Sequence, residues 1–252
     1  LATTRPNIHQ MVNDSGAKAI LHLVGSDGAD RGVVTVDGAE NVDWEDLCSF
    51  KSKGIPYLLI ADTGDNNSSR DISTLYIVQE PKLPSASDAL AGVAKPSWVI
   101  RYRYEDGPRD CESVAVDAAA GKVLLVSKRT KPPVVYELPL KPAKEDEVIV
   151  AKRIGVTSVE PPQGVPKLPY IAQPTGMDVS EDGSLGAIVS YYGVFLFERK
   201  GKEGWGEAFA SPPVILTPHG MNQAESVAFS KDGKTLSVVS ERGDRRIIRY
   251  ER

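Results

Sequence analysis

Apolar residues along this chain fall at alternate positions in short runs separated by Gly, Asp, Asn and Pro, the period of half-buried β-strands rather than of helices. One block recurs. It opens on acidic or polar residues, continues as an alternating strand, turns, and returns as a second apolar strand that ends in polar or charged residues. Its copies are Asp43–Phe50 with Tyr57–Asp62, Asp110–Asp117 with Val123–Lys128, Gln173–Ser180 with Leu185–Ser190, and Gln223–Ser230 with Leu236–Ser240. The turns Ala120-Gly121, Asp182-Gly183 and Asp232-Gly233 predict hairpins, because Gly accepts the positive φ that a tight turn demands. Third strands follow at Thr74–Val78, Val134–Leu138, Val194–Phe197 and Arg246–Tyr250, and fourth strands at Trp98–Tyr104, Val148–Ile154 and Pro213–Leu216.

Ile8–Val12, Ile20–Val24 and Val33–Val36 read as the later strands of a further unit, with Leu1–Thr4 as the tail of its first strand, so the natural chain is expected to begin upstream. Repeated four-stranded antiparallel units predict an all-β fold, a β-propeller with five blades, or six if residues have been lost. Residues 1–252 then make one propeller domain. Glu45, Glu112, Thr175 and Glu225 occupy equivalent positions at uneven spacings of 67, 63 and 50 residues. Pro-rich segments at Lys82–Lys95 and Glu160–Tyr170 explain the unevenness as surface loops, with room at Ala86–Val93 for a turn or two of helix. The architectural alternative is a β-sandwich, which does not repeat an acidic entry motif at blade spacing.

In such a propeller the residues just before each first strand and just after each second strand share one mouth of the central channel. That mouth would collect Asp43, Glu45, Asp46, Asp110, Glu112 and Glu225 from strand starts, and Asn13, Asp14, Asp62, Asp65, Asn66, Asn67, Lys128, Arg129, Tyr191, Tyr192, Glu241 and Arg242 from strand ends. Crowded carboxylates must be protonated, paired with bases or bridged by a cation. Oxygen donors without a His or Cys cluster favour a hard cation, and calcium accepts them in irregular geometry; Glu45, Glu112, Glu225 and Asn13 are the candidate ligands. Asp62-Thr63-Gly64-Asp65-Asn66-Asn67 groups further oxygen side chains around a Gly, with Asp62 and Asp65 as candidates for a local ion, although such a turn also forms without metal. The alternative to a metal site is an ion-pair ring in which Lys128, Arg129, Arg242 and Arg70 neutralise these acids.

Composition narrows the partners. Thirty Lys and Arg against 34 Asp and Glu leave a net charge of −4, with no summed positive field to hold a phosphate backbone, so nucleic acid is not expected as the main partner. No apolar run approaches the length of a membrane helix. Two cysteines, Cys48 and Cys111, are too few for a disulfide framework. No P-loop, serine nucleophile elbow, His-Glu-x-x-His or Cys-x-x-Cys is present, and His9, His22 and His219 share no obvious site.

Asn13–Gly16, Asp43–Asp46 and Gly64–Asn67, in that order, resemble the Asn-Asp-Ser-Gly, Asp-Trp-Glu-Asp and Gly-Asp-Asn-Asn blocks of a family of exported bacterial β-propeller proteins of unassigned function. The resemblance covers nearly the whole chain and implies the propeller fold and a periplasmic or secreted location. More distantly, the acidic mouth is similar to that of calcium-dependent propeller hydrolases: gluconolactonase-like enzymes, diisopropyl fluorophosphatase and β-propeller phytases. In those relatives a Glu at the start of an inner strand joins Asn or Asp from other blades around the ion, roles that Glu45, Glu112, Glu225 and Asn13 match in position. Thr175 departs from that pattern.

Two functions follow as expectations. The first is a binding or scaffold module whose mouth recognises a small anionic ligand, a glycan or a protein. The second is a calcium-dependent hydrolase of a small anionic ester, lactone or phosphoester, with Glu112 or Glu225 as base or nucleophile and Lys128, Arg129 or Arg242 orienting the anion.

Overall fold

The structure is a computed structural model that describes residues 2–5, 8–25, 27–82, 90–144, 146–166, 168, 170–241 and 246–251. It is an all-β chain with one short helix among the described residues. The strands run β1 (Ala2–Arg5), β2 (Ile8–Met11), β3 (Ile20–Gly25), β4 (Asp30–Val36), β5 (Trp44–Ser52), β6 (Ile55–Asp62), β7 (Ser73–Gln79), β8 (Leu90–Ala94), β9 (Pro96–Tyr104) and β10 (Ser113–Asp117). They continue as β11 (Lys122–Val126), β12 (Val134–Pro139), β13 (Val148–Val156), β14 (Pro174–Val179), β15 (Leu185–Ser190) and β16 (Val194–Glu198). After helix α1 (Trp205–Ala210) come β17 (Val214–Ile215), β18 (Ala224–Phe229), β19 (Thr235–Ser240) and β20 (Ile248–Glu251).

Antiparallel pairing follows sequence order within five successive units: β1-β2-β3-β4, β5-β6-β7-β9, β10-β11-β12-β13, β14-β15-β16-β17, and β18-β19-β20. Each recurring block is the first hairpin of a unit. The turns behave as their composition requires: Gly121, Gly183 and Gly233 have φ of 63°, 67° and 69°. The Ser180 and Ser230 turns are copies of one another, each hydroxyl donating to an Asp two residues on, at 2.6 and 2.7 Å.

Two parallel pairings depart from the meander. β13 lies beside β9, welding the second and third units into one eight-stranded sheet. Its end strands β5 and β10 touch, so the sheet is nearly closed. β8 adds to the first unit alongside β4. The segment Lys82–Lys95 is therefore not loop throughout; residues 83–89 lie outside the described ones, and Leu90–Ala94 is strand rather than helix. Gly32 makes that pairing possible, because a Cβ there would lie 1.9 Å from the Leu90 carbonyl oxygen. α1 was not legible in the sequence: its six residues are too few to establish a helical period, and it is held by Trp205 and Phe209 packing on Gly186.

The core lies between successive units. Leu21, Leu23, Trp44, Leu58 and Ile60 fill the layer between the first two, and Leu59, Leu75, Leu125 and Tyr136 the layer between the second and third. Ile188, Phe195 and Val135 join the third to the fourth, and Val189, Val227 and Val238 the fourth to the fifth. Each such aliphatic side chain contributes about 1.5–3 kcal/mol through removal from water. Trp44 is wedged in the first of these layers, its indole donating to the Glu40 carbonyl at 2.9 Å. The first strands also touch in a circuit, β1 to β5, β5 to β10, β10 to β14, β14 to β18 and β18 back to β1, and Glu45 at the start of β5 meets Glu112 just before β10.

Candidate functional site

The equivalent residues of the repeat share a backbone device. Pairing of β5 with β6 skips Glu45, pairing of β14 with β15 skips Thr175, and pairing of β18 with β19 skips Glu225. Each is the extra residue of a β-bulge, which re-aims its side chain out of the regular alternation. Glu112 stands just before Ser113, where pairing with Val126 begins.

Two groups of carboxylates meet at Glu45. Asp14, Asp43 and Glu45 place oxygens within 4.8 Å of one another, and so do Glu45, Asp110 and Glu112. Asn41 positions the Asp14 turn by donating to the carbonyls of Asn13 and Asp14 at 3.0 and 3.1 Å. Asp43 is fixed by its backbone, whose N–H donates to Asp62 at 3.1 Å and whose carbonyl accepts from the amides of Thr63 and Gly64. Gly64 packs beneath the acids: a Cβ there would lie 2.3 Å from both Asp43 Oδ2 and Glu45 Oε1.

Bases neutralise part of this set. Arg70 pairs with Asp62 at 2.9 Å, Arg129 Nε with Asp110 at 2.7 Å, and Lys128 Nζ donates to Glu112 Oε1. Lys128 also donates to the Tyr191 hydroxyl at 3.3 Å, and Tyr191 in turn donates to Glu225 at 3.1 Å. Among the described residues no Lys or Arg forms an ion pair with Asp43, Glu45 or Glu225, and the buried Glu112 Oε2 has no hydrogen-bond partner. Electrostatics follow. Burial, reinforced by Glu112 and Asp43, pushes Glu45 up to about 10. Burial raises Glu112 to about 7 against the pull of Lys128, and raises Glu225 to about 8 with help from Glu241. Burial with Asp14 lifts Asp43 to about 6. Burial works against the Lys128 ammonium, but Glu112 and Tyr191 outweigh it and hold it above its usual range.

Of the residues singled out in the sequence, Glu45 and Glu112 come together, and Glu225 joins them through Tyr191 and Lys128. The side chain of Asn13 pairs instead with His22 at 3.1 Å, while its neighbour Asp14 enters the acidic group. Asp62 is engaged by Arg70 and by the amide of Asp43. Asp65 caps its own loop, accepting from the amides of Ser69 and Arg70 at 2.9 Å each. Arg129 bridges Asp110 and Asn66. Arg242 lies outside the described residues. Asp46 turns away from the acids at the strand starts and into the interior, accepting from the amides of Val114 and Met177 at 2.9 and 3.2 Å. Thr175 donates to the Ala224 carbonyl at 2.6 Å and ties two units together. The cysteines are buried free thiols, and burial pushes Cys111 up to about 12. Buried His219 contacts the Ser190 carbonyl and accepts from the Met221 amide, a structural role. Asp43, Asp14 and Asp110 were visible in the sequence only as members of a crowded mouth; their convergence on Glu45 rests on loop positions that no local pattern encodes.

No family model and no curated protein matches the chain. Solved structures of similar shape include one titled the mitotic checkpoint complex, with 11% identity and a TM-score of 0.44 over 99% of this chain and 62% of that one. Another is a functionally unknown protein from Desulfotomaculum acetoxidans, with 13% identity and a TM-score of 0.42 over 93% of this chain and 73% of that one. The chain thus spans less than two thirds of the first of these. Both likenesses are too remote to bear on function.

Proposed function

We propose that the five units are the blades of a β-propeller and that the carboxylates around Glu45 bind a hard divalent cation, calcium by preference, in an extracytoplasmic binding or scaffold module. One observation carries this reading: Glu45 lies within ligand reach of Asp14 and Asp43 on one side and Asp110 and Glu112 on the other, with no base paired to it among the described residues. The orphaned Glu112 Oε2 fits a missing positive charge, and an all-oxygen donor set from several loops suits calcium better than magnesium, which demands near-octahedral order. The circuit of first strands supports the propeller; the Asn13–Gly16, Asp43–Asp46 and Gly64–Asn67 blocks support the location. A small anion, a glycan or a protein is the partner this mouth would recognise once the cation is bound.

The test is a thermal melt of chelator-treated protein titrated with Ca²⁺ and Mg²⁺, since an ion bound only by the folded state raises its stability by mass action. A calcium-selective rise that disappears in Glu45→Gln is expected; an unchanged melt would mean that Lys and Arg pairing together with protonation of Glu45 holds the acids without an ion.

A second reading, a hydrolase of small anionic esters, lactones or phosphoesters, draws on the Lys128–Glu112 pair and the Tyr191–Glu225 contact beside the cluster. The cation would polarise the scissile oxygen. Lys128 and Arg129 would orient the anion, and a carboxylate with its pKa near neutrality would move the proton. Calcium-dependent turnover in a panel of such substrates, abolished in a folded Glu112→Gln variant, supports it; no turnover in the wild type removes it.

A further inference from the structure

We propose that a second site, a cavity at the other end of the inner strands, binds a small organic ammonium ion bearing a compact apolar group, with the Asp178 carboxylate as its anchor. The cavity has a volume of about 290 Å³ and is bounded by the ends of β5, β10, β14 and β18. Lys51 lies six residues beyond Glu45 on β5, so this end is about 20 Å from the acidic cluster at ~3.3 Å per residue. Phe50, Val116, Val179 and Phe229 supply apolar wall.

Four acidic side chains line it, and three are already engaged. Asp117 is held by Arg199 and the Trp205 indole at 2.7 and 2.9 Å, Glu181 by Lys51 at 2.6 Å, and Glu80 by Gln10 at 3.5 Å. Asp178 has backbone partners: one oxygen accepts from Val179 N and the other from Phe229 N, each at 2.8 Å. Among the described residues no Lys, Arg or His side chain forms an ion pair with it. Asp178 is half-buried, and burial, with a smaller contribution from the interior Asp46, raises its pKa. Each oxygen keeps a lone pair free. An enclosed carboxylate with no countercharge gains most from a cation that enters and hydrogen-bonds to it.

The chemistry of the walls decides which cation. A hard cation such as calcium takes six to eight oxygens, and with Asp117, Glu181 and Glu80 already engaged Asp178 alone does not supply them. An alkyl- or arylalkylammonium offers N–H donors to Asp178 and an apolar body to Phe50, Val179 and Phe229. The cavity is at the small end of the range for ligand pockets, which limits the guest to one compact apolar group such as a single aromatic ring beside the amine. Lys231 stands at the outer rim, where it disfavours a second positive charge on the guest.

Isothermal titration of the full chain with 2-phenylethylamine, and separately with the uncharged 2-phenylethanol, in the presence of chelator, tests this independently of the cation cluster. Amine binding at least about tenfold tighter than alcohol binding is expected, as is its loss in Asp178→Asn. Because that variant disturbs two backbone hydrogen bonds, Ala119→Trp at the exposed rim serves as a second one: it should block binding while leaving the melting midpoint unchanged. No amine binding at millimolar concentration, equal binding of amine and alcohol, or amine binding undiminished in folded Ala119→Trp would overturn the proposal.

Discussion

Glu112 and Asp117 stand at the two ends of one strand, β10, and both are buried, yet their environments differ. Asp117 accepts from the Ala120 amide at 2.9 Å, from Arg199 and from the Trp205 indole. Burial pushes Asp117 up, but these donors outweigh it and hold the carboxyl below its usual range. Glu112 receives Lys128 on one oxygen, has no partner for the other, and lies among Glu45 and Asp110. Its pKa moves to about 7. Burial alone therefore does not make a functional carboxylate. The balance of donors against neighbouring acids does, and it makes Asp117 a structural group and Glu112 an available one.

The largest effect is expected at Asp117. Asp117→Ala strands Arg199 and the Trp205 indole and should cost about 3–5 kcal/mol in urea unfolding, whereas Glu112→Gln, which keeps an oxygen for the Lys128 ammonium and relieves the crowding with Glu45 and Asp110, should cost less in metal-free protein. A similar loss in both would show that the two ends are equally structural. Gly64→Ala should come next. Its methyl would push Asp43 and Glu45 apart while leaving the backbone in place, so the calcium-induced melting shift should weaken by about tenfold in apparent affinity, with little change in the metal-free midpoint.

Glu45 gives a pH test of smaller size. Its folded pKa of about 10 lies above the ordinary 4.5, so the folded chain holds that proton more tightly than the unfolded one. Stability from this group is therefore full below pH 4.5 and declines as pH rises toward 10. In chelator, Glu45→Gln should flatten that decline and be the more stable protein at pH 8 in urea midpoints, with no advantage at pH 4. Bound calcium would expel the proton, so its affinity should rise with pH over the same window. Smallest of all is Lys51→Ala, which removes an exposed pair with Glu181 and should change stability by at most ~0.5 kcal/mol.

The strand blocks, hairpin turns and acidic residues at the starts of first strands were legible because they are short-range: period-two patterning and Gly turns reveal themselves within a few residues. The equivalence of Glu45, Thr175 and Glu225 was also legible, and the bulges explain it, since the extra residue of each bulge is the one re-aimed. Asp46 was misplaced at the mouth for the same reason: past the bulge it faces the interior, where Met177, 131 residues away, donates to it.

Local patterning alone thus specifies a series of β-hairpin units with oxygen-bearing residues at one end. Tertiary structure decided which of those acids acquire a base. Arg70 reaches Asp62 within its own loop, Arg129 reaches Asp110 from the following hairpin, and Glu45 is paired with neither. It also decided the parallel contacts of β8 with β4 and of β13 with β9, which no alternation pattern specifies. The physical reason is range. Strand period and turn chemistry are written in neighbouring residues, whereas desolvation, ion pairing and sheet order depend on groups that only folding brings together.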